Sequence, residues 1–205
     1  VIEAINARGY GLTFGLHTRI DGRVQEVADA IRAGNIYVNR NQIGAVVGSQ
    51  PFGGEGLSGT GPKAGGPFYL PRFFAPTPPM GAAEVPKGAA DPARIRASLA
   101  AARPARIGER LMPGPTGELN RLFLVTRAPV LCLGPGAEAV AAQQAAVEAL
   151  GGQAVPVEGR LDPDHLAGLE GFSALLWWGD AETGRELAQA LAGRGGPILP
   201  VLTAT

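Results

Sequence analysis

This sequence has very little cysteine, no net charge and no long apolar run. Its single Cys excludes a disulfide within the chain and fits a reducing compartment. Acidic and basic residues balance at 18 each, without a basic stripe, so nothing indicates nucleic-acid binding. No apolar run reaches the length of a membrane span, and no segment has the composition of a signal peptide. The apolar fraction of 45% is nevertheless enough for a real core.

Glycine and proline, by contrast, are abundant, with 31 Gly and 18 Pro in 205 residues. Other segments are strongly periodic, so we do not expect disorder of the whole chain. The length fits one large or two small domains. The first residue, Val1, lies inside a pattern, and the last residues read as a strand and its exit. We therefore expect the chain to be a piece of a longer polypeptide.

The first third of the chain predicts a strand–helix–strand unit. Thr13–Thr18 alternates like a strand, and residues 35–39 form a second one. Between them, Asp21 is a suitable N-cap and Gly34 a suitable C-terminal stop for a helix. The apolar stripe of that helix consists of Val24, Val27, Ala28 and Ile31.

A glycine-rich loop with almost no charge follows the second strand. Its glycines allow backbone amides to approach another group closely, which favours the wall of a ligand site. A flexible surface turn fits the residues equally well. After the loop, the aromatic segment 68–74 predicts a short strand, and Pro71 inside it favours a sheet edge.

The rest of the chain has two parts that differ in composition and in predicted secondary structure. Residues 75–92 have the composition of a linker, 93–103 predict one helix, and 104–118 are again rich in Pro and Gly. Strands then alternate with helices, which indicates βαβ units and a mostly parallel sheet. The expected strands are 122–125, 129–133, 154–157, 174–178 and 198–202, and the expected helices are 137–150, 162–169 and 181–192.

Two segments carry a resemblance to a known family. YGLTFGLHTRI, GNIYVN and PFGGEGLSG resemble the C-terminal part of an aldehyde dehydrogenase catalytic domain. The longer run GNIYVNRNQIGAVVGSQPFGGEGLSGTGPKAGGPFYLPRF is similar to the L-glutamate-γ-semialdehyde dehydrogenase part of the proline utilization A family, which oxidises proline in two steps. LMPGPTGELNRLFL at 111–124 resembles the segment that follows the dehydrogenase in longer members of that family.

The resemblance implies an α/β protein with three parts. Residues 1–74 would be the C-terminal part of the aldehyde dehydrogenase domain, ending in an edge strand for oligomerisation. Residues 75–121 would be a linker with a short helix. Residues 122–205 would be part of a Rossmann-like parallel-sheet domain that docks on the dehydrogenase.

The resemblance also implies a substrate-binding loop at residues 41–50. Gly44 and Ala45 would offer backbone amides to the α-carboxylate of L-glutamate γ-semialdehyde, since fixed amides bind an anion without a mobile cation. Phe52 would pack on the aliphatic part of the aldehyde, and a core aromatic is also compatible with the sequence. No catalytic residue and no metal site is expected in this chain.

The catalytic chemistry would lie outside these residues. Cys132, inside the apolar strand VLCLG, is expected to be a buried small hydrophobe rather than the nucleophile. Gly134, Pro135 and Gly136 form a partial dinucleotide fingerprint, with Glu158 as the expected acidic partner. We favour a structural role for that turn over a second NAD site.

For the whole enzyme, the resemblance implies NAD for the aldehyde dehydrogenase and FAD for a proline dehydrogenase outside this chain. Its partners would be the remainder of the polypeptide and a quinone at a membrane surface, in the bacterial cytoplasm, and a homodimer is allowed. Two alternatives stay open. One is a monofunctional pyrroline-5-carboxylate dehydrogenase, and the other is a catalytically inactive binding or scaffold module.

Overall fold

A computed structural model of the chain describes residues 1–59, 61–73 and 88–203. Residues 75–87 of the expected linker lie outside this range, as does Phe74. The described residues fall into two compact units. The first comprises Val1–Ala75, Arg110–Leu122 and Gly196–Ile198, and the second comprises the remaining segments, Pro76–Glu109, Phe123–Gly195 and Leu199–Thr205.

The first unit contains the predicted strand–helix–strand segment. Its elements are α1 (Ile2–Asn6), β1 (Tyr10–Gly11), β2 (Thr13–Leu16), α2 (Asp21–Ala30), β3 (Asn35–Val38) and β4 (Glu55–Gly56). Strands β2 and β3 pair in parallel, with Phe14 opposite Ile36, and α2 makes the crossover between them. Strands β1 and β4 form a separate antiparallel pair. The half-buried residues of α2 are the predicted stripe residues Val24, Val27 and Ala28, together with Gln25. The fourth stripe residue, Ile31, lies beyond the end of the helix and is buried.

Both predicted boundaries of α2 are wrong. The N-cap is Ile20, whose backbone is extended, and no side chain caps the helix, because Asp21 is already its first helical residue. At the other end the chain leaves the helical conformation at Ile31, three residues before Gly34. Gly34 instead lies directly before β3, and its N–H donates to the carbonyl of Gly11 at 2.9 Å.

The predicted aromatic edge strand at 68–74 is also wrong over the part that the structure describes. Leu70–Phe73 forms a single 3-10 turn. Arg72 donates its N–H to the carbonyl of Tyr69, and the rings of Tyr69 and Phe73 meet edge to face with centroids 5.6 Å apart. Pro71 offers no N–H for a sheet ladder, whereas its fixed φ suits a turn.

The connection between the two matched motifs contains more structure than its composition predicts. Helix α3 (Pro92–Ala101) confirms the expected helix, with Asp91 as its N-cap and Pro92 at its first position. Strands β5 (Arg106–Met112) and β6 (Asn120–Val125) pair with each other, where a Pro/Gly-rich loop was expected at 104–118. Arg106–Met112 itself contains no Pro and one Gly, and most of the Pro and Gly residues of 104–118 lie in the turn that joins the strands.

The second unit is built on a four-stranded parallel sheet. Its remaining elements are β7 (Val130–Cys132), α4 (Gly136–Ala149), β8 (Ala154–Pro156), α5 (Pro163–Ala167), β9 (Ala174–Trp177), α6 (Ala181–Ala192) and β10 (Val201–Thr203). The strand order is β10-β9-β7-β8, with parallel pairing throughout. This confirms the predicted α/β class and the parallel sheet. The last strand starts three residues later than predicted, after Pro200, whose ring nitrogen cannot donate to a neighbour.

The core of the second unit lies around the central strands. Leu131 on β7 and Leu175 on β9 are fully buried and directly paired. Helix α3 contributes Ile95 and Leu99 to the same cluster, so this part of the expected linker is a packed element of the core. Trp177 is buried there as well, with its indole N–H donating to the carbonyl of Asp180 at 2.9 Å.

Candidate functional site

The glycine-rich loop of the first unit starts at a residue that is fixed to the neighbouring strand. Asn39 follows β3 directly and has a positive φ of 56°, which Asn tolerates better than most residues. Its side chain pairs with the backbone of Thr18: Oδ1 accepts from the N–H and Nδ2 donates to the carbonyl, both at 2.9 Å. The loop therefore leaves the sheet in a defined direction.

Four consecutive amides of the loop differ in their hydrogen bonding. The N–H of Ile43 donates to Oδ1 of Asn41 at 3.2 Å, and that of Val46 donates to Oε1 of Gln50 at 3.1 Å. Between them, the amides of Gly44 and Ala45 have no hydrogen-bond partner among the described residues. Gly44 has a φ of +75° and open space on its Cβ side. The loop thus has two adjacent donors without a partner among the described residues, and such backbone donors can bind an anion.

Phe52 lies two residues after the loop and is fixed through its backbone. Its N–H and carbonyl exchange hydrogen bonds with Ala64 at 3.0 and 2.8 Å. Phe52 is half-buried in the described structure, so both interpretations, an aromatic wall of a ligand site and a core aromatic, stay predictions.

Lys63 joins the strand that precedes the loop to the segment that follows Phe52. Its Nζ donates to the carbonyls of Gly34 and Gly53, the latter at 2.7 Å, and lies 3.4 Å from Oδ1 of Asn35. Burial lowers the pKa of Lys63, while the carboxylate of Glu55 opposes that shift. The ammonium group thus satisfies carbonyl oxygens in a stretch that has too few side chains to pack by volume.

Cys132 occupies the interior of the second unit's sheet, as predicted for a buried hydrophobe. Its side chain is fully buried on β7. Burial raises the pKa of the thiol to about 11, with a further contribution from Glu148. A thiol with these properties is protonated at neutral pH and is not a nucleophile.

The partial dinucleotide fingerprint is occupied by the protein itself. The N–H of Gly134 donates to Oε1 of Gln143 at 3.0 Å, and Nε2 of Gln143 donates back to the carbonyl of Gly134 at 2.8 Å. The N–H of Trp178 reaches the same carbonyl at 2.9 Å. In open α/β sheets, ligands bind where the strand order reverses, and here that place lies between β7 and β9. The hydrogen bond from Trp178 to Gly134 joins the segments that follow these two strands.

Glu158, the expected acidic partner of a ribose, is engaged elsewhere. Its carboxylate forms an exposed ion pair with Arg94 of α3 at 3.1 Å. Both side chains border a cavity of about 250 Å³ beside the end of β8, together with Asp91, Ser98 and Gly159. Neither the glycine turn nor the acidic residue is thus arranged as a dinucleotide site requires.

Sequence reasoning missed four residues that shape the candidate site. Asn39, Gln50, Lys63 and Glu118 hold the loop and its flanks, and their partners lie up to 78 residues away. An Asn that directly follows a strand could have suggested a turn anchor. A buried Gln and a partly buried Glu in a Pro/Gly-rich turn carry no local pattern that would have identified them.

Two classes of feature are absent from the described residues. Across residues 1–59, 61–73 and 88–203, no helix combines the length and the apolar character that crossing a bilayer requires. In the same ranges, His, Cys, Asp and Glu side chains do not gather in groups of three or more that could hold a metal ion.

Comparison with known proteins identifies the class of the first unit. The family described as "Aldehyde dehydrogenase family" matches residues 1–76. A 1-pyrroline-5-carboxylate dehydrogenase of Bacillus subtilis is 46% identical over 70 residues, which cover 34% of this chain and 14% of that protein. The first 76 residues are therefore an aldehyde dehydrogenase segment.

The similarity to one group of proteins extends much further. The Bifunctional protein PutA of Salmonella typhimurium is 41% identical over 246 residues, covering 98% of this chain and 19% of that protein. A crystal structure of a Bradyrhizobium japonicum Proline Utilization A (PutA) mutant is 67% identical over 35% of this chain and 7% of its own, with a TM-score of 0.35. The chain is homologous to the bifunctional PutA proteins over nearly its whole length, and it spans about one fifth of the curated PutA relatives.

Proposed function

We propose that residues 41–50 bind the α-carboxylate of L-glutamate γ-semialdehyde in an NAD-dependent aldehyde dehydrogenase. The observation that carries this proposal is the pair of unpartnered amides at Gly44 and Ala45, between two amides that side chains already occupy. Each free amide can donate one charge-assisted hydrogen bond to a carboxylate oxygen. Ala45 carries no hydroxyl, so the backbone alone supplies the donors.

Phe52 supplies the apolar side of the same proposal. The semialdehyde has methylene groups between its carboxylate and its aldehyde carbon, and a half-buried ring can cover them. With the carboxylate held at one end and the methylenes covered, the aldehyde carbon is directed towards the nucleophile. We place that nucleophile, a Cys, outside this chain, because Cys132 is buried in the sheet of the second unit.

For the whole protein we propose the two-step oxidation of L-proline to L-glutamate. An FAD-dependent proline dehydrogenase outside this chain would form pyrroline-5-carboxylate, and the NAD-dependent dehydrogenase would oxidise the hydrolysed semialdehyde. Homology to PutA over 98% of the chain supports this, compared with 34% for the B. subtilis pyrroline-5-carboxylate dehydrogenase. We further propose a location in the bacterial cytoplasm, electron transfer to a quinone at the membrane, and a homodimer.

The Rossmann-like sheet of the second unit has a structural role in this proposal. The N–H of Gly134 donates to Gln143, and Pro135 has no N–H, so two backbone donors of this turn are not available to a pyrophosphate. The unit would dock on the dehydrogenase domain of the full-length protein.

The direct test is Ala45→Pro in the full-length protein, with Ala45→Gly as the matched control that keeps the amide. Losing one charge-assisted hydrogen bond costs about 1.5–3 kcal/mol, so kcat/KM for the semialdehyde should fall roughly 10- to 150-fold. Ala45→Gly should remain close to the parent protein, and proline dehydrogenase activity should be unchanged in both variants. An unchanged aldehyde step in Ala45→Pro would remove this loop from the substrate site.

A further inference from the structure

The side-chain amide of Gln50, the last residue of the loop 41–50, is buried and hydrogen-bonds through both its oxygen and its nitrogen. Gln50 is 8% exposed. Its Oε1 accepts the N–H of Val46 at 3.1 Å, directly beside the two unpartnered amides. Its Nε2 donates to Oε1 of Glu118 at 2.8 Å and lies 3.3 Å from Oδ1 of Asn120. The side chain thus ties the loop to the turn between β5 and β6.

Glu118 is the centre of this polar cluster. Besides Gln50, its carboxylate accepts from Nδ2 of Asn120 at 3.0 Å and pairs with Arg40 at 3.4 Å. Only 29% of the side chain is exposed on each partner of that ion pair. Asn120 also donates to the carbonyl of Pro113, and Arg40 lies 5.2 Å over the ring of the buried Tyr37. Glu118 therefore connects the turn to strand β3 and to the loop.

A carboxylate at position 118 sets the direction in which the Gln50 amide points. An ionised Glu accepts hydrogen bonds and donates none, so only the NH₂ end of Gln50 can face it. The carbonyl end must then face the N–H of Val46. Val46 is also held through its carbonyl, which accepts the N–H groups of Ser49 and Gln50 at 3.1 and 2.9 Å. The side-chain contact of Gln50 adds a constraint on the N–H side of Val46, next to Gly44, whose positive φ glycine adopts easily.

We propose that Glu118 is a positioning residue for oxidation of the semialdehyde, acting through Gln50 on the amides of Gly44 and Ala45. This inference rests on the proposed function of the loop. Its physical basis is preorganisation: amides that are held in place before binding lose no free energy in becoming ordered around the carboxylate. A segment after the aldehyde dehydrogenase match thereby takes part in substrate selection.

The test uses the full-length protein and two aldehydes. L-Glutamate γ-semialdehyde has the carboxylate that the amides would bind, whereas pentanal has the same number of carbons and no charge. The measured quantity is kcat/KM for the semialdehyde divided by kcat/KM for pentanal. A loss of loop alignment should lower this ratio, whereas general damage to the enzyme should lower both values equally.

Glu118→Ala should lower the ratio about 5- to 100-fold, because a misplacement of about 1 Å at a binding group has effects up to that size. Glu118→Gln keeps the shape of the side chain at position 118 and tests whether its charge orients the Gln50 amide. It should lower the ratio less than Glu118→Ala does. Glu170→Ala, at an exposed glutamate of the second unit, is the matched control and should change neither value. The KM for NAD and the proline dehydrogenase activity should be unchanged in all three variants.

The double variant Gln50→Ala with Glu118→Ala tests the route. If Glu118 acts through Gln50, the double variant should be hardly worse than Gln50→Ala alone. Additive losses would overturn the route, and equal losses for both aldehydes in folded Glu118→Gln would overturn the positioning role. A lowered ratio in Ala45→Pro with an unchanged ratio in Glu118→Ala would overturn this inference alone, while an unchanged ratio in Ala45→Pro would overturn the proposed function.

Discussion

Replacing Gln143 with Leu should weaken the second unit far more than a change at the next residue of the same helix. Gln143 is fully buried, and its amide satisfies both the N–H and the carbonyl of Gly134. In Gln143→Leu the carbonyl keeps the N–H of Trp178, but the N–H of Gly134 loses its partner. A buried unsatisfied donor costs about 1–3 kcal/mol, and we expect a loss of ~2 kcal/mol.

The assay is thermal unfolding followed by tryptophan fluorescence. The chain has two Trp residues, Trp177 and Trp178, and both belong to the second unit, so the signal reports on that unit. A loss of ~2 kcal/mol corresponds to a Tm lower by roughly 8–12 °C for a unit of this size. Gln144→Leu is the matched control, since it removes only an exposed hydrogen bond to Glu148 and should cost less than about 0.5 kcal/mol.

Gln143→Glu makes the same argument testable through pH. The new carboxylate would direct an acceptor at the carbonyl of Gly134, and burial would raise its pKa. Protonation restores a donor in the folded state, so the destabilisation relative to the parent should shrink as the pH falls. The reasoning is refuted if Gln143→Leu costs no more than Gln144→Leu, or if the loss in Gln143→Glu does not depend on pH.

Three further predictions concern the two units. Phe52→Ala in the full-length protein should lower kcat/KM for the semialdehyde about 5- to 20-fold with the KM for NAD unchanged, and a comparable loss of NAD affinity in a folded variant would contradict the assignment. Cys132 should resist alkylation at pH 8 until the chain unfolds, and rapid labelling of the folded chain would refute this. The folded thiol has a higher pKa than the unfolded one, so its contribution to stability is intact below about pH 8.5 and should decline as the pH rises towards 11. Calorimetric titration of this chain with NAD should show no saturable binding, and binding that Gly136→Val abolishes would establish a nucleotide site.

Local patterns in the sequence determined much of the architecture. The alternation of strands and helices after residue 119 predicted the parallel sheet, and the apolar run around Leu131 predicted its buried centre. These features follow from periodicity, which acts over a few residues and is visible in any window of the sequence. The aldehyde dehydrogenase segment was likewise readable from its motifs, as the family match over residues 1–76 confirms.

Only the tertiary structure decided which polar groups meet. The pairing of Gln50 with Glu118 joins residues 68 positions apart, and the fully buried Gln143 exchanges two hydrogen bonds with Gly134, nine positions before it. Strand β5 formed within a segment that its Pro and Gly content marked as a loop, because pairing with β6 supplies hydrogen bonds that composition does not reveal. A hydrogen bond depends on the position of both partners, and a single sequence specifies such positions only through the complete fold.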